Sequence, residues 1–173
     1  MPKIIEGLKE KILVSARTRL LSGNASELSL RGVARDCGIA VGTVYNYYKD
    51  KESLMAAVMA EDWIGSLKEM RGHLQEAESF EEGLLGILGG IRDFASLYEG
   101  VWQSSPTAPN FGASFAARHG MLLGQIREEI SLLAGRFGKD LPESSLTLLA
   151  ELVIASSRHP EIPAEELLRI ISV

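Results

Sequence analysis

Between Leu30 and Lys49 the small and apolar residues fall where two short helices crossing at a tight turn have to touch. Val33, Cys37, Ile39 and Val44 are spaced to point into a miniature core, and Ala34 is small enough for the second helix to lie close. Gly38 supplies the left-handed backbone that the turn needs. Elsewhere apolar residues recur at three- and four-residue spacing, and no stretch alternates with the period of two that a strand requires. The expected fold class is all-α.

Punctuation residues divide the chain into helices. The first is expected from about Pro2 to Leu21, with Ile5, Leu8, Ile12, Ala16 and Leu20 as one apolar stripe and Gly23 and Asn24 as its end. Ser29 caps a second helix to Cys37, a third covers about Val41 to Tyr47, and Asp50 caps a long fourth. Ser79 with Glu82 forms a capping box for a fifth helix to about Tyr98, and Pro106 and Pro109 break the chain before a helix from Phe111 to Phe137. Pro142 with Glu143, and Pro163 with Glu165 and Glu166, open the last two, with acidic groups at the positive helix ends.

A net charge of −5 is unlike that of a nucleic-acid binder until the chain is divided, because a basic surface matters locally. Residues 1–54 carry nine Lys and Arg against six Asp and Glu, whereas residues 55–173 carry nine against seventeen. A basic head on an acidic body is the arrangement expected for docking on phosphates, although an uneven solvated surface also produces it. The single Cys37 forms no internal disulfide and no export signal is visible, so a cytoplasmic home is expected. The apolar run from Gly83 to Ile91 is far shorter than the roughly 20 residues that cross a bilayer, so no membrane partner is expected.

On the crossed-helix geometry the third helix turns Val41, Thr43, Tyr45 and Asn46 outward, and the major groove of double-stranded DNA is the guest that such an edge fits. Asn46 suits an adenine edge, Thr43 a base or phosphate, and the short Val41 a thymine methyl. Arg31 and Arg35 add phosphate contacts or are solvated surface arginines. Cys37 is expected to be a buried, inert small hydrophobe, with oxidant sensing by its thiol as the lesser reading.

The stretch Ser29 to Leu54, above all Gly42-Thr43-Val44-Tyr45-Asn46-Tyr47-Tyr48 followed by Lys51-Glu52-Ser53-Leu54, resembles the signature of the TetR family of transcriptional regulators. With the first helix the resemblance covers about residues 5–54; beyond it the chain matches only in length and helical content. The resemblance implies that Ser29 caps the second helix near a phosphate, that Thr43, Tyr47 and Lys51 hold the DNA backbone, and that their neighbours on the third helix read bases. Cys37 and Tyr48 depart from the alanine and phenylalanine commoner in the family, each keeping an apolar or aromatic character. The implied organisation is a three-helix DNA-binding domain over residues 1–50 and a helical effector-binding and dimerisation domain over residues 51–173. The implied function is a homodimeric repressor that leaves its palindromic operator when a small-molecule effector of unknown identity binds; no cofactor is expected.

For the dimer, Leu146, Leu149, Leu152, Val153 and Ser156 lie close to one helical face, and Leu167, Leu168 and Ile171 offer a second apolar patch; ordinary packing within one chain is the competing reading. Effector candidates mix aromatic bulk with polar reach: Trp63, Trp102, Gln103, Phe111, Phe115, Arg118, His119 and Met121. Gly83, Gly86, Gly89 and Gly90 read as a small-residue stripe for close helix packing, with a void for ligand as the lesser reading, and not as a phosphate loop, since no Gly-Lys-Ser or Gly-Lys-Thr follows them. An all-helical interaction module without DNA binding is the main alternative function. A small helical enzyme is the weaker one, because His73, His119 and His159 are scattered, and the adjacent Glu128 and Glu129 do not share a helix face.

Overall fold

The computed structural model describes residues 7–22, 28–99 and 111–171, with the backbone alone for 111–119. The described elements are α1 (Leu8–Leu21), α2 (Leu30–Asp36), α3 (Val41–Tyr45), α4 (Lys51–Glu76), α5 (Phe80–Leu97), α6 (Phe111–Arg136), α7 (Glu143–Ser157) and α8 (Ala164–Ile171). No strand occurs among the described residues, as the spacing predicts. No helix among them is long and apolar enough to cross a membrane. Two compact units emerge. One runs to Ile64 and takes in the chain again from Leu97; the other comprises Gly65–Ser96 and the described chain from Phe111 onward.

In the first unit, α1 buries Leu8, Ile12, Ala16 and Leu20, the stripe expected of it, together with Leu13. Helix α1 begins at Leu8, after Gly7 with φ 74°, a left-handed backbone that a right-handed helix does not continue through, and the expected start at Pro2 lies outside the described residues. Ile5, Gly23 and Asn24 lie outside the described residues. The Ser29 hydroxyl accepts the Gly32 amide at 3.1 Å and so caps α2, whose Leu30, Val33 and Ala34 are buried. Arg19 of α1 clamps the other end of α2: its Nε and Nη2 donate to the Asp36 carboxylate at 2.6 and 2.8 Å, and Ser15 Oγ donates at 2.9 Å. The guanidinium passes so near Gly32 that a Cβ there would sit 2.8 Å from Arg19 Nη1, so a larger residue would have to displace the Arg19 side chain.

These bonds, the Arg19 one foremost, hold the Asp36 carboxyl at about 2, below its ordinary 3.8. A carboxylate depressed in this way contributes stability that is present above pH 3.8 and drains away as pH falls through about 2. Urea unfolding of Asp36→Asn beside the wild type is therefore expected to show a gap at pH 7 that closes near pH 2; a gap of constant size would contradict the clamp.

In the second unit the capping box at Ser79 forms as expected on one side, with the Glu82 amide donating to Ser79 Oγ at 3.1 Å. The Glu82 carboxylate reaches one residue further back than expected, accepting the Glu78 amide at 2.7 Å. From there α5 buries Phe80, Leu84, Ile87, Leu88 and Ile91 along one face. Gly83 and Gly90 pack as expected of the glycine stripe: a Cβ on Gly83 would overlap the Leu133 side chain of α6, and one on Gly90 would lie 2.8 Å from Met70 Cε of α4. Gly86 and Gly89 face no atom closely. Arg92 of α5 ties down the end of α7, its Nη2 donating to the carbonyls of Ser156, His159 and Ile162 at 3.2, 3.1 and 2.9 Å. Glu129 of α6 is sealed in the interior and accepts the Arg71 Nε of α4 at 2.6 Å.

Candidate nucleic-acid interface

The two short helices cross as their spacing requires. Gly38 takes φ 65° at the turn, the Ile39 amide donates back to the Ala34 carbonyl at 3.0 Å, and Ala40 in extended conformation leads into α3. Val33, Ala34 and Val44 are fully enclosed. Ile39 and Cys37 are only half-buried, because the turn they flank lies at the surface. Cys37 is thus not the enclosed residue its spacing implied, although its thiol lies 3.6 Å from the Lys11 carbonyl and burial still pushes it up from its ordinary pKa.

Val44 is the one residue of α3 that is buried, and the rest of the helix looks outward. Tyr45 is 54% exposed, Asn46 and Gly42 are exposed, and Val41 and Thr43 are partly so. The helix is shorter than expected, ending at Tyr45, because the Asn46 amide bonds to Thr43 and Val44 carbonyls in a tightened last turn. Tyr47 is exposed just beyond it, and Lys51, partly exposed, opens α4. Asp50 caps α4: its Oδ1 accepts the Ser53 amide at 2.7 Å while Ser53 Oγ accepts the Asp50 amide at 3.2 Å, and the Ser53 hydroxyl first, with its amide second, holds the Asp50 carboxyl below its usual range. Ser29 and Arg31, at the opening of α2, are exposed, and so is Arg35 at its close. The structure brings the outward residues of α3 and the opening of α2 together on one small helical pair whose own core is closed.

Tyr48 follows a different course. It is buried, and its hydroxyl has no hydrogen-bond partner. Burial, with Glu61 as a secondary cause, pushes that hydroxyl up from its ordinary pKa. Leaving a buried hydroxyl unpaired costs about 1–3 kcal/mol, so Tyr48→Phe is expected to stabilise the protein by about 1 kcal/mol in denaturant unfolding. A lower midpoint for the variant would mean that the hydroxyl has a partner.

The remaining candidates are dispersed. Trp63 is a core residue of α4, and Met121 stands on the surface of α6. Trp102 and Gln103, and the side chains of Phe111, Phe115, Arg118 and His119, lie outside the described residues. An open groove between α6 and α7, lined by Gly124, Arg127, Glu128, Ser131, Leu132, Glu143 and Leu146, includes none of the effector candidates. Of the candidates for dimer contact, Leu146, Val153 and Leu167 are buried within the single chain, whereas Leu149, Leu152, Ser156, Leu168 and Ile171 keep partial exposure. Leu148 and Ile170, which the sequence reading did not single out, are exposed. An apolar stripe along a helix marks both its core face and any partner face, so spacing alone had no means to separate them. Among the described residues no group of three or more His, Cys, Asp or Glu side chains is placed to hold a metal ion.

Comparison with known proteins bears on the same region. Residues 12–58 match the sequence model of the bacterial regulatory proteins of the tetR family. HTH-type transcriptional regulators of Mycobacterium bovis and Mycobacterium tuberculosis are each 26% identical over 100 residues, which is 56% of this chain and 42% of theirs. The chain thus matches less than half the length of these curated relatives. Among solved structures, the fatty acid degradation regulator FadR from Bacillus halodurans superposes with a TM-score of 0.58 at 17% identity, covering 98% of this chain and 94% of that one. The TetR family regulator CifR, solved with double-stranded operator DNA, gives 0.55 at 17% identity over 99% and 96%. FadR from Bacillus subtilis, solved with stearoyl-CoA, gives 0.50 at 16% identity over 93% and 96%. Likeness at such identities speaks for the fold. The names of these relatives are those of regulators.

Proposed function

We propose, from the match of residues 12–58 to the tetR family of bacterial regulatory proteins, that the protein is a transcriptional repressor that binds a palindromic operator as a homodimer and is released by a small-molecule effector. The observation that carries the DNA-binding part is the orientation of α3: one residue faces the core while Gly42, Tyr45 and Asn46 face out. Asn46, Tyr45 and Val41 read base edges in the major groove. Thr43, Tyr47, Lys51, Arg31 and the capping end of α2 at Ser29 hold phosphates. Support for the partner comes from CifR, which was solved on operator DNA.

The dimer brings two copies of α3 to half-sites one helical turn apart, about 34–36 Å on B-DNA. Its seam runs over the partly exposed Leu149, Leu152, Ser156, Leu168 and Ile171, with exposed Leu148 and Ile170 added and Leu146, Val153 and Leu167 as the floor beneath. The effector enters the second domain, where Trp102, Gln103, Phe111, Phe115, Arg118, His119 and Met121 remain its candidate contacts, with Trp63 on α4. Helix α4 begins in one compact unit and ends in the other, so it is the covalent path from effector to α3. Linkage then requires effector and DNA to weaken each other's binding by the same factor, about 5- to 150-fold in typical cases.

The test is titration of full-length protein against DNA from upstream of its own gene. Tyr47→Phe and Lys51→Ala are each expected to weaken binding without unfolding the protein, and Lys51→Ala also to flatten the salt dependence by about one unit of slope. Wild-type affinity in both variants removes the phosphate assignments.

A further inference from the structure

Three segments far apart in sequence meet at one oxygen in the first unit. Asp62 Oδ2, on α4, accepts the hydroxyl proton of Tyr98 and lies 3.1 Å from Arg17 Nε of α1. Tyr98, one residue beyond the end of α5, is fully enclosed, and the Asp62 side chain is 8% exposed. Burial foremost, and the bond to Asp62 after it, push the Tyr98 hydroxyl far above its ordinary pKa, so it remains a donor at any physiological pH.

An apolar contact in this place would hold the helices together as well. What it would not do is fix their register, because apolar surfaces slide, whereas a carboxylate shared by two donors permits one arrangement. The register of α1 matters here. Positions 15 and 19 lie on one face of a helix and position 17 on the opposite face. Ser15 and Arg19 grip Asp36 at the end of α2, and Arg17 grips Asp62. Helix α1 is therefore held from both sides, between α4 with the end of α5 and the helix that carries α3.

We propose that Arg17, Asp62 and Tyr98 are positioning residues for DNA binding: they seat α1 on α4, and α1 seats α2 and with it the outward edge of α3. The proposal rests on the regulator reading. None of the three needs to touch DNA.

The experiment uses a duplex enriched from random DNA by the full-length wild-type protein, and measures its affinity for the wild type, Tyr98→Phe, Arg17→Gln and the double variant. Tyr98→Phe deletes one oxygen and is expected to weaken binding at least fivefold, with the salt dependence unchanged because no phosphate contact is lost. The double variant is expected to be no more than twofold weaker than the worse single one, since both break the same node. Wild-type affinity in Tyr98→Phe, an altered salt dependence in that variant, or losses that multiply in the double variant each overturn the proposal. Should Tyr98→Phe fail to fold, Arg17→Gln decides alone, because Arg17 is half in water: unchanged affinity overturns it, and a fivefold loss regained in Arg17→Lys supports it. A wild-type protein that enriches no duplex overturns the regulator reading and takes this proposal with it; an enriched duplex bound equally by all variants overturns this proposal alone.

Discussion

Gly42→Ala is expected to leave the protein folded and at least as stable as the wild type, and to weaken DNA binding tenfold or more. Gly42 lies in the first turn of α3, and a Cβ built there meets nothing within 4 Å. Its φ is not in the left-handed region, so the backbone does not demand glycine either. Alanine is the better helix former by about 1 kcal/mol, and the chain's own interior offers no objection to it. Smallness at an exposed position that the chain itself does not require suits a close approach from outside, which on the proposed reading edge is that of the DNA backbone. Chemical denaturation and a DNA titration on the same preparation separate the two effects. A variant that is destabilised, or that binds as tightly as the wild type, contradicts this account of Gly42.

Arg71→Ala carries the largest expected cost in stability. Glu129 is 1% exposed, with Arg71 as its cation. Removing one partner of a buried pair costs about 3–5 kcal/mol; Arg71 is 52% exposed, which brings the expected loss toward about 2 kcal/mol as water reaches the vacated place. Because the damage is the stranded carboxylate and not the absent arginine, Arg71→Met combined with Glu129→Leu is expected to recover most of the loss. Urea unfolding reads both. A single variant as stable as the wild type, or a double variant no better than the single one, removes the pair from the account.

Local chemistry was readable in the sequence wherever its cause was local. Ser29 and Asp50 cap because a short side chain three residues ahead of an amide reaches it, and Gly38 turns because glycine alone takes φ 65° without strain. The stripe from Leu8 to Leu20 reports burial because the core lies along one side of α1. Periodicity carried the expected first helix through Gly7, where a left-handed backbone instead precedes the start of α1 at Leu8. The polar nodes were invisible to spacing. Arg71 is 58 residues from Glu129, Asp62 is 36 from Tyr98, and Arg92 reaches carbonyls 64 to 70 residues on; only the tertiary fold brings them together. On the reading edge, the outward residues followed from burying Val44, one position that fixes the rotation of a five-residue helix. The candidate effector and dimer residues offered no such handle, since an aromatic or leucine has the same periodic signature facing a core, a ligand or a second chain.

The central claim, that α3 is an edge presented twice to one DNA duplex, is tested most directly by selecting bound sequences from a pool of random duplexes with the full-length protein. The expected result is an enriched inverted repeat with half-sites about one helical turn apart. Enrichment of no sequence, or of a single unrepeated site, would contradict it.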